Sequence, residues 1–326
     1  MRKTLLGMFH ELKESGSSSD YPYLLANTMH KALLNKFRGV ISPWQQYTLK
    51  GDMADFKTHD RIILGEAPDL LPVQEDGEYI DSKIGESRYQ IALETVGRKW
   101  TVTRKAIIND DLRGLLQFPE RYGRSAARTI AKAVTAVLES NAAAYDGTAL
   151  FAARGSWNND GHVRISANLA GISALDTAIS TIKTSKDPHS GEIMGIGQTL
   201  YLIVSPTLEM TANWLRTSTQ VRGGSTGTLV DNPVAGKFQV LVEPFLTTYP
   251  GRSYLCVAPE EAHFAEVGFL NGKVEPDLLA RAATSIRVNG GGEDPYGFDI
   301  DDMEFKVRHD WKVAAGFYQG VYKLGD

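Results

Sequence analysis

An α+β fold is predicted for this chain, and three features predict it. One is a long amphipathic helix near the middle. Another is a set of short apolar runs closed by prolines, which read as buried strands. The third is the lack of regular strand–helix–strand alternation, which argues against a parallel α/β sheet. The 326 residues are 42% hydrophobic and 23% charged, an ordinary globular composition for one large domain or two modest ones. No repeat at a solenoid period is visible.

The first fifty residues read as an arm. A polar linker, Ser15-Gly16-Ser17-Ser18-Ser19-Asp20, separates a short amphipathic start from a second stretch, Tyr23 to Phe37. There Leu25, Met29, Leu33 and Phe37 recur four apart, the spacing of one helix face. That stripe must be buried, either on its own domain or on a neighbouring subunit. The start faintly resembles a signal peptide, but His10 and Glu11 interrupt its short apolar run, so a mature N-terminus is expected.

Pro68 and Pro72 stop any helix. Beyond them Tyr89, Ile91, Leu93 and Thr95 alternate with Gln90, Ala92 and Glu94, the period of a strand over Arg88 to Val96. With a weaker strand over Glu78 to Lys83 and a turn at Ile84-Gly85-Glu86-Ser87, this predicts a long charged hairpin. An isolated hairpin is barely stable, so a projecting one implies outside support.

A helix of about six turns is expected next, with Pro119 in its first turn and Asp146-Gly147 marking a turn beyond its end. Arg121, Arg124, Arg128 and Lys132 fall on one face, and Ala127, Ile130, Val134, Val137 and Leu138 on the other. The basic face is a solvated surface, a contact for nucleic-acid phosphates or a contact for an acidic patch on a neighbour. A second helix follows, with Ile172, Leu175, Ile179 and Ile182 on one face. Leu200–Val204, Phe238–Val242 and Tyr254–Val257 read as buried strands, with a helix opened by Pro206 among them. Gly223 to Pro233 reads as a loop, and Gly290-Gly291-Gly292 as a second flexible tip. From Met303 the chain is strand-like again, with Phe305, Val307, His309 and Trp311 on one face.

Thirty-five basic and 39 acidic residues give a formal net charge of −4, which argues against a domain coated in positive charge for wrapping nucleic acid. No segment approaches the roughly 20 apolar residues that span a bilayer, so no membrane partner is expected. The one cysteine, Cys256, excludes a disulfide framework and suits a small buried hydrophobe in an apolar run.

The candidate chemical sites are weak. Gly223-Gly224-Ser225-Thr226-Gly227 matches a nucleophile elbow, with Asp277 and His309 following in the hydrolase order. The buried strand before the serine and the helix after it are missing from the pattern, so a serine hydrolase using Ser225 is the alternative rather than the main reading. The same loop lacks the lysine of a phosphate-cradling loop. Asp299, Asp301, Asp302 and Glu304 lack the glycine and terminal glutamate of a calcium loop, so a solvated or basic-paired acidic turn is expected. The seven histidines show no metal-ligand spacing. No catalytic residue, metal or cofactor is therefore expected.

Three blocks in order carry a resemblance. Thr103-Arg104-Lys105-Ala106-Ile107-Ile108-Asn109-Asp110-Asp111-Leu112, with Gly123-Arg124-Ser125-Ala126-Ala127-Arg128 after it, is the first. Asn232-Pro233-Val234-Ala235-Gly236-Lys237-Phe238, followed by Val240 to Pro244, is the second. Phe305-Lys306-Val307-Arg308-His309-Asp310-Trp311, closed by Gly320-Val321-Tyr322-Lys323, is the third. Over roughly residues 70–326 the chain resembles the major capsid proteins of tailed phages, in particular the Mu-like major head subunit family.

The resemblance implies the Hong Kong 97-type (HK-97) capsid fold. Its parts would be an N-terminal arm at 1–68, an extended hairpin loop at 69–103 and a peripheral domain with a spine helix at 104–199. An axial domain at 200–290 and a return to the peripheral domain at 291–326 would complete it. It implies a major head protein that self-assembles as pentamers and hexamers into an icosahedral shell around double-stranded DNA, bound non-specifically. Scaffold, portal and decoration proteins are the further partners, with the virion capsid as location and the host cytoplasm during assembly. Scaffold and any maturation protease are expected as separate proteins. An encapsulin-like compartment shares the fold and is a second alternative. Lys83, Glu86 and Arg88 are the expected subunit contacts near the hairpin tip. No covalent Lys–Asn crosslink is expected at Lys83.

Overall fold

Helices and strands succeed one another without a strand–helix–strand rhythm in the computed structural model, and they fall into two compact units. The structure describes residues 21–40, 42–73, 77–79, 81–103, 105, 112–155, 157–223, 228–281, 285–286, 293–294, 300 and 302–326. In chain order these give α1 (Tyr21–Arg38), α2 (Trp44–Tyr47), β1 (Leu49–Met53), β2 (His59–Leu64), β3 (Glu86–Ile91), β4 (Glu94–Thr103) and α3 (Leu112–Glu139). Then come β5 (Ala153–Arg154), β6 (Trp157–Asn158), β7 (Asp160–Gly161), α4 (Leu169–Lys183), β8 (Leu200–Val204), α5 (Glu209–Thr217), β9 (Gln220–Gly223) and β10 (Thr228–Asp231). The chain closes with β11 (Gln239–Val242), β12 (Ser253–Val257), α6 (Pro259–Ala262), β13 (Ala265–Leu270), β14 (Asp277–Ala280), β15 (Ser285–Ile286), β16 (Glu293–Asp294), β17 (Asp302–Ala315) and β18 (Val321–Leu324).

The first unit draws on the chain up to Val40, on Thr95–Arg128 and on Lys273–Asp310. Its core joins Met29 and Leu33 of α1 to Trp100 and Val102 of β4 and to Met303, Phe305 and Val307 of β17. The Trp100 ring stacks on Tyr122 at 4.6 Å and on Phe305 at 5.5 Å. The α1 stripe is therefore buried on its own unit, while the side chain of Leu25 lies outside the described residues. Gly123 of α3 allows the helices to meet closely, since a Cβ there would sit 2.3 Å from the Leu33 carbonyl oxygen. β14 lies antiparallel to β17 with Leu278 opposite Val307, and β4 also pairs with β17.

The second unit holds Ile41–Glu94, Thr129–Gly272 and Trp311–Asp326. Its main sheet runs β11-β8-β12-β18-β7. β8 and β12 are almost wholly buried, with Leu202 opposite Leu255, because apolar side chains cover both faces. α4 lays Ile172, Leu175, Ile179 and Ile182 into this core, and its Asn168 cap accepts a hydrogen bond from the Gly171 N–H at 3.1 Å. Each such aliphatic side chain contributes roughly 1.5–3 kcal/mol on burial. Beside it, β13 pairs in parallel with β1 and antiparallel with the Trp311–Ala315 end of β17.

Four local expectations are corrected. No regular structure forms at Glu78, Tyr79 or Asp81–Lys83, and the hairpin's first strand is β2, paired antiparallel with β3 from His59 opposite Ile91 to Leu64 opposite Glu86. Consequently the turn expected at Ile84–Ser87 is partly strand. α3 starts at Leu112, so Pro119 lies inside the helix rather than in its first turn. The stretch read as a loop at Gly223 to Pro233 contains β10, paired with β9. At the C-terminus, β17 pairs with β14 over Phe305–Arg308 and with β13 over Trp311–Ala315, and β18 joins β12 in the main sheet of the second unit.

Candidate assembly surfaces

The β2–β3 hairpin has two unlike faces, because side chains alternate along each strand. On one face Tyr89 and Ile91 are buried and Arg61 and Ile63 are half-buried. Asp60, Ile62, Leu64, Glu86, Arg88 and Gln90 form the other face, and all are exposed. The polar members of that face brace each other, with Asp60 accepting from Arg88 at 3.2 Å and from Gln90 at 2.8 Å. Ile62 and Leu64 are 66% and 73% exposed, and the segment after β2 adds Leu70 at 99% and Tyr79 at 87%. So much uncovered apolar surface on one short stretch marks an interaction site.

On the buried face, Ile91 packs with Met53 and Leu93, and one carboxylate gathers the polar groups. Glu266 of β13, 1% exposed, accepts a hydrogen bond from the Tyr89 hydroxyl at 2.5 Å and pairs with Arg61 at 2.8 Å. Arg61 and Tyr89 are direct cross-strand neighbours, so both hairpin strands grip the same group. Arg61 also donates to the Asp52 carbonyl, and His263 Nε2 lies 2.9 Å from the Tyr89 oxygen. Burial pushes the Tyr89 phenol up, reinforced by the bond to Glu266, and burial pulls the His263 imidazole down. Gly51 makes room for the cluster, since a Cβ there would lie 1.8 Å from Glu266 Oε1. A second hold lies toward the connecting segment. Ser87 Oγ and His189 Nε2 are 2.9 Å apart, and Gly65 and Gly85 pass too close to Asp187 and His189 to carry side chains.

The expected contact residues occupy this region without converging on one spot. Glu86 and Arg88 lie in β3, opposite Leu64 and Ile62, and Lys83 is exposed in the connecting segment. Arg61, Tyr89 and Glu266 were not among the expected site residues. A glutamate inside the apolar run Phe264-Ala265-Glu266-Val267 was the one available signal, because a buried acid demands a partner.

On α3, the basic face is present as expected. Arg121, Arg124, Arg128 and Lys132 are all exposed, and among the described residues none forms an ion pair. The two acids of the helix from Glu120 onward are engaged elsewhere. Glu120 pairs with Lys36 at 3.7 Å, and Glu139 accepts from Thr248 and Tyr249 backbone N–H groups at 2.8 and 3.2 Å.

Of the rival chemistry, only part lies among the described residues. Ser225 lies outside the described residues, as do Asp299, Asp301 and the glycines 290–292. Asp277 is held by Lys273 and Arg308 and shares a sheet face with Arg308, while His309, next in the strand, points to the buried face against Phe37. Asp302 and Glu304 are both in β17, and Glu304 pairs with Lys99 at 3.3 Å and Arg281 at 3.2 Å. Cys256 is fully buried, which pushes its thiol up and away from reactivity. Among the described residues there is no group of three or more metal-ligating side chains. Nor is any described helix long and apolar enough to cross a membrane.

A family model described as phage capsid protein matches residues 88–324. No curated protein sequence matches significantly. Among solved structures, the mature capsid of bacteriophage PhiM1 superposes with a TM-score of 0.54 at 8% identity, covering 88% of this chain and 87% of its own. A virus-like particle from Pyrococcus furiosus gives 0.52 at 8% identity, covering 91% and 98%. The capsid of a native GTA particle gives 0.52 at 11%, covering 89% and 93%. At such identities the likeness is one of fold.

Proposed function

The chain belongs to the phage capsid protein family, as a major capsid protein that forms a shell, and we propose that this shell encloses double-stranded phage DNA. The role is structural. The observation that carries the mechanism is the two-faced hairpin: one face is pinned to its own subunit through Glu266, and the other leaves apolar groups open to solvent.

In this reading the β2–β3 hairpin and its connecting segment are the extended loop and lie over an adjacent subunit. Its span of about residues 59–91 is shifted from 69–103 because β2 supplies the first strand. The first unit, with α1, the start of α3 and the β4, β14 and β17 strands, serves as the peripheral domain. The β11-β8-β12-β18-β7 sheet with α4 and α5 serves as the axial domain, whose copies meet around five- and six-fold axes. Scaffold, portal and decoration proteins are the remaining partners, and assembly takes place in the host cytoplasm. Stabilisation comes from many heterologous contacts that close on themselves.

The test is size. Sedimentation velocity and negative-stain electron microscopy of the purified chain should show rings or closed shells tens of nanometres across. A particle that stays monomeric or dimeric with scaffold co-expressed would overturn the reading.

A further inference from the structure

We propose that Glu243 is a proton-responsive clasp, which holds the segment 42–47 while its carboxyl is neutral and loosens it once the carboxyl ionises. The site lies within the second unit, on the stretch by which the chain first enters that unit. It belongs to neither the hairpin nor α3, and it does not depend on the shell reading.

Glu243 follows β11 and is fully buried. Its Oε2 accepts from the Ser42 hydroxyl at 2.9 Å and from the Tyr47 hydroxyl at 3.1 Å. Its Oε1 has the long bond from the Phe245 N–H, at 3.4 Å. Among the described residues no cation stands beside it. The titratable group facing it is Tyr47 of α2, which in turn faces Cys256 of β12. β8 offers the Val204 carbonyl, which accepts from the Glu243 N–H at 2.8 Å. Glu266, equally buried, has Arg61 at 2.8 Å, so the two carboxylates are solved differently. A buried carboxylate met only by neutral donors is costly to ionise. Burial accordingly raises the Glu243 pKa above the ordinary carboxylate value, against the pull of Ser42 and Tyr47.

What this carboxyl holds is weak by itself. α2 is one turn, Trp44–Tyr47, too short to persist alone. It is kept by Trp44 against Phe269, by Tyr47 stacked on Phe264, and by the two hydroxyls on Glu243. Such a segment opens locally without global unfolding. Opening wets Glu243, so ionisation favours the open form. A carboxyl whose pKa is raised in the closed form gives a hold that is complete below its ordinary value and is lost as pH rises through the raised one.

Amide exchange in the full chain reads the clasp through the Gln46 and Thr48 N–H groups, which bond to the Pro43 and Trp44 carbonyls. Corrected for intrinsic rates, their protection should fall about tenfold per pH unit from near pH 4.5 and then level off. Ser253–Val257 of β12 should show no such fall. Ser42→Ala and Tyr47→Phe each remove a donor that favours the charged form, so each should move the levelling point up by about half a pH unit or more. Glu243→Gln should abolish the pH dependence. Protection that does not change with pH in the unmodified chain overturns the proposal, as does a profile that survives Glu243→Gln. A levelling point that stays put or moves down in both hydroxyl variants overturns it as well, and these two variants decide the matter if Glu243→Gln fails to fold.

Discussion

The β8–β12 strands and the β2–β3 hairpin lie in the same compact unit yet treat apolar side chains in opposite ways. In β12 all five residues are buried, and Leu255 meets Leu202 across the sheet under the cover of α4. In the hairpin, Ile62 and Leu64 face solvent while Arg61 and Tyr89 are turned inward to a buried glutamate. The first region spends its hydrophobic surface within the chain. The second keeps Ile62 and Leu64 in reserve, while Ile91 packs with Met53 and Leu93 and polar contacts to Glu266 fix direction. A subunit needs both: a body stable before assembly, and a surface whose burial is gained only on assembly.

The sharpest way to break this contrast is Leu255→Ala, which should destabilise the isolated chain by about 2–5 kcal/mol, read as a loss of thermal midpoint. Acid comes next. Burial pulls the His309 pKa down to about 4, so the unfolded chain takes up that proton first as pH falls. Stability should therefore drop progressively from about pH 6.5 to about pH 4 and level off below, by roughly 3 kcal/mol from this group. A His309→Phe chain, unfolded by urea across that range, should show a flatter profile.

Glu266→Gln is a smaller and more local perturbation. It leaves Arg61 without its partner charge, at a cost of about 1–3 kcal/mol. Amide exchange should accelerate across 59–64 and 86–91 while 253–257 keeps its protection. The smallest folding effect belongs to Ile62→Ser/Leu64→Ser, within about 0.5 kcal/mol for the isolated chain. Shell yield should nonetheless fall, and a normal yield would show that the exposed face is not an assembly contact.

Much of this was legible along the chain. Tyr89 and Ile91 alternate in β3 as a strand should and are buried, and Leu93 is buried too, but Ala92 and Leu93 interrupt the strand expected over Arg88 to Val96, which continues as β4 from Glu94. Ile172, Leu175, Ile179 and Ile182 mark α4, and Leu200–Val204 is a strand over the expected residues. The basic face of α3 followed from a 100° turn per residue. β2 was missed for an instructive reason. Its apolar residues Ile62 and Leu64 point outward and Arg61 points inward, the reverse of the pattern by which a half-buried strand is recognised. The capsid resemblance rested on three ordered blocks, and the family match over 88–324 agrees with it.

Short-range periodicity sufficed for the helices, the buried strands and the sign of the exposed charges, because each is set by neighbours within a few residues. Which strand completes the hairpin, where β18 goes, and why Gly51 stands beneath Glu266 depend on partners tens to hundreds of residues apart. Pairing across such distances is decided by how well whole surfaces pack, and by the need of a buried charge for its partner, neither of which leaves a local period in the chain.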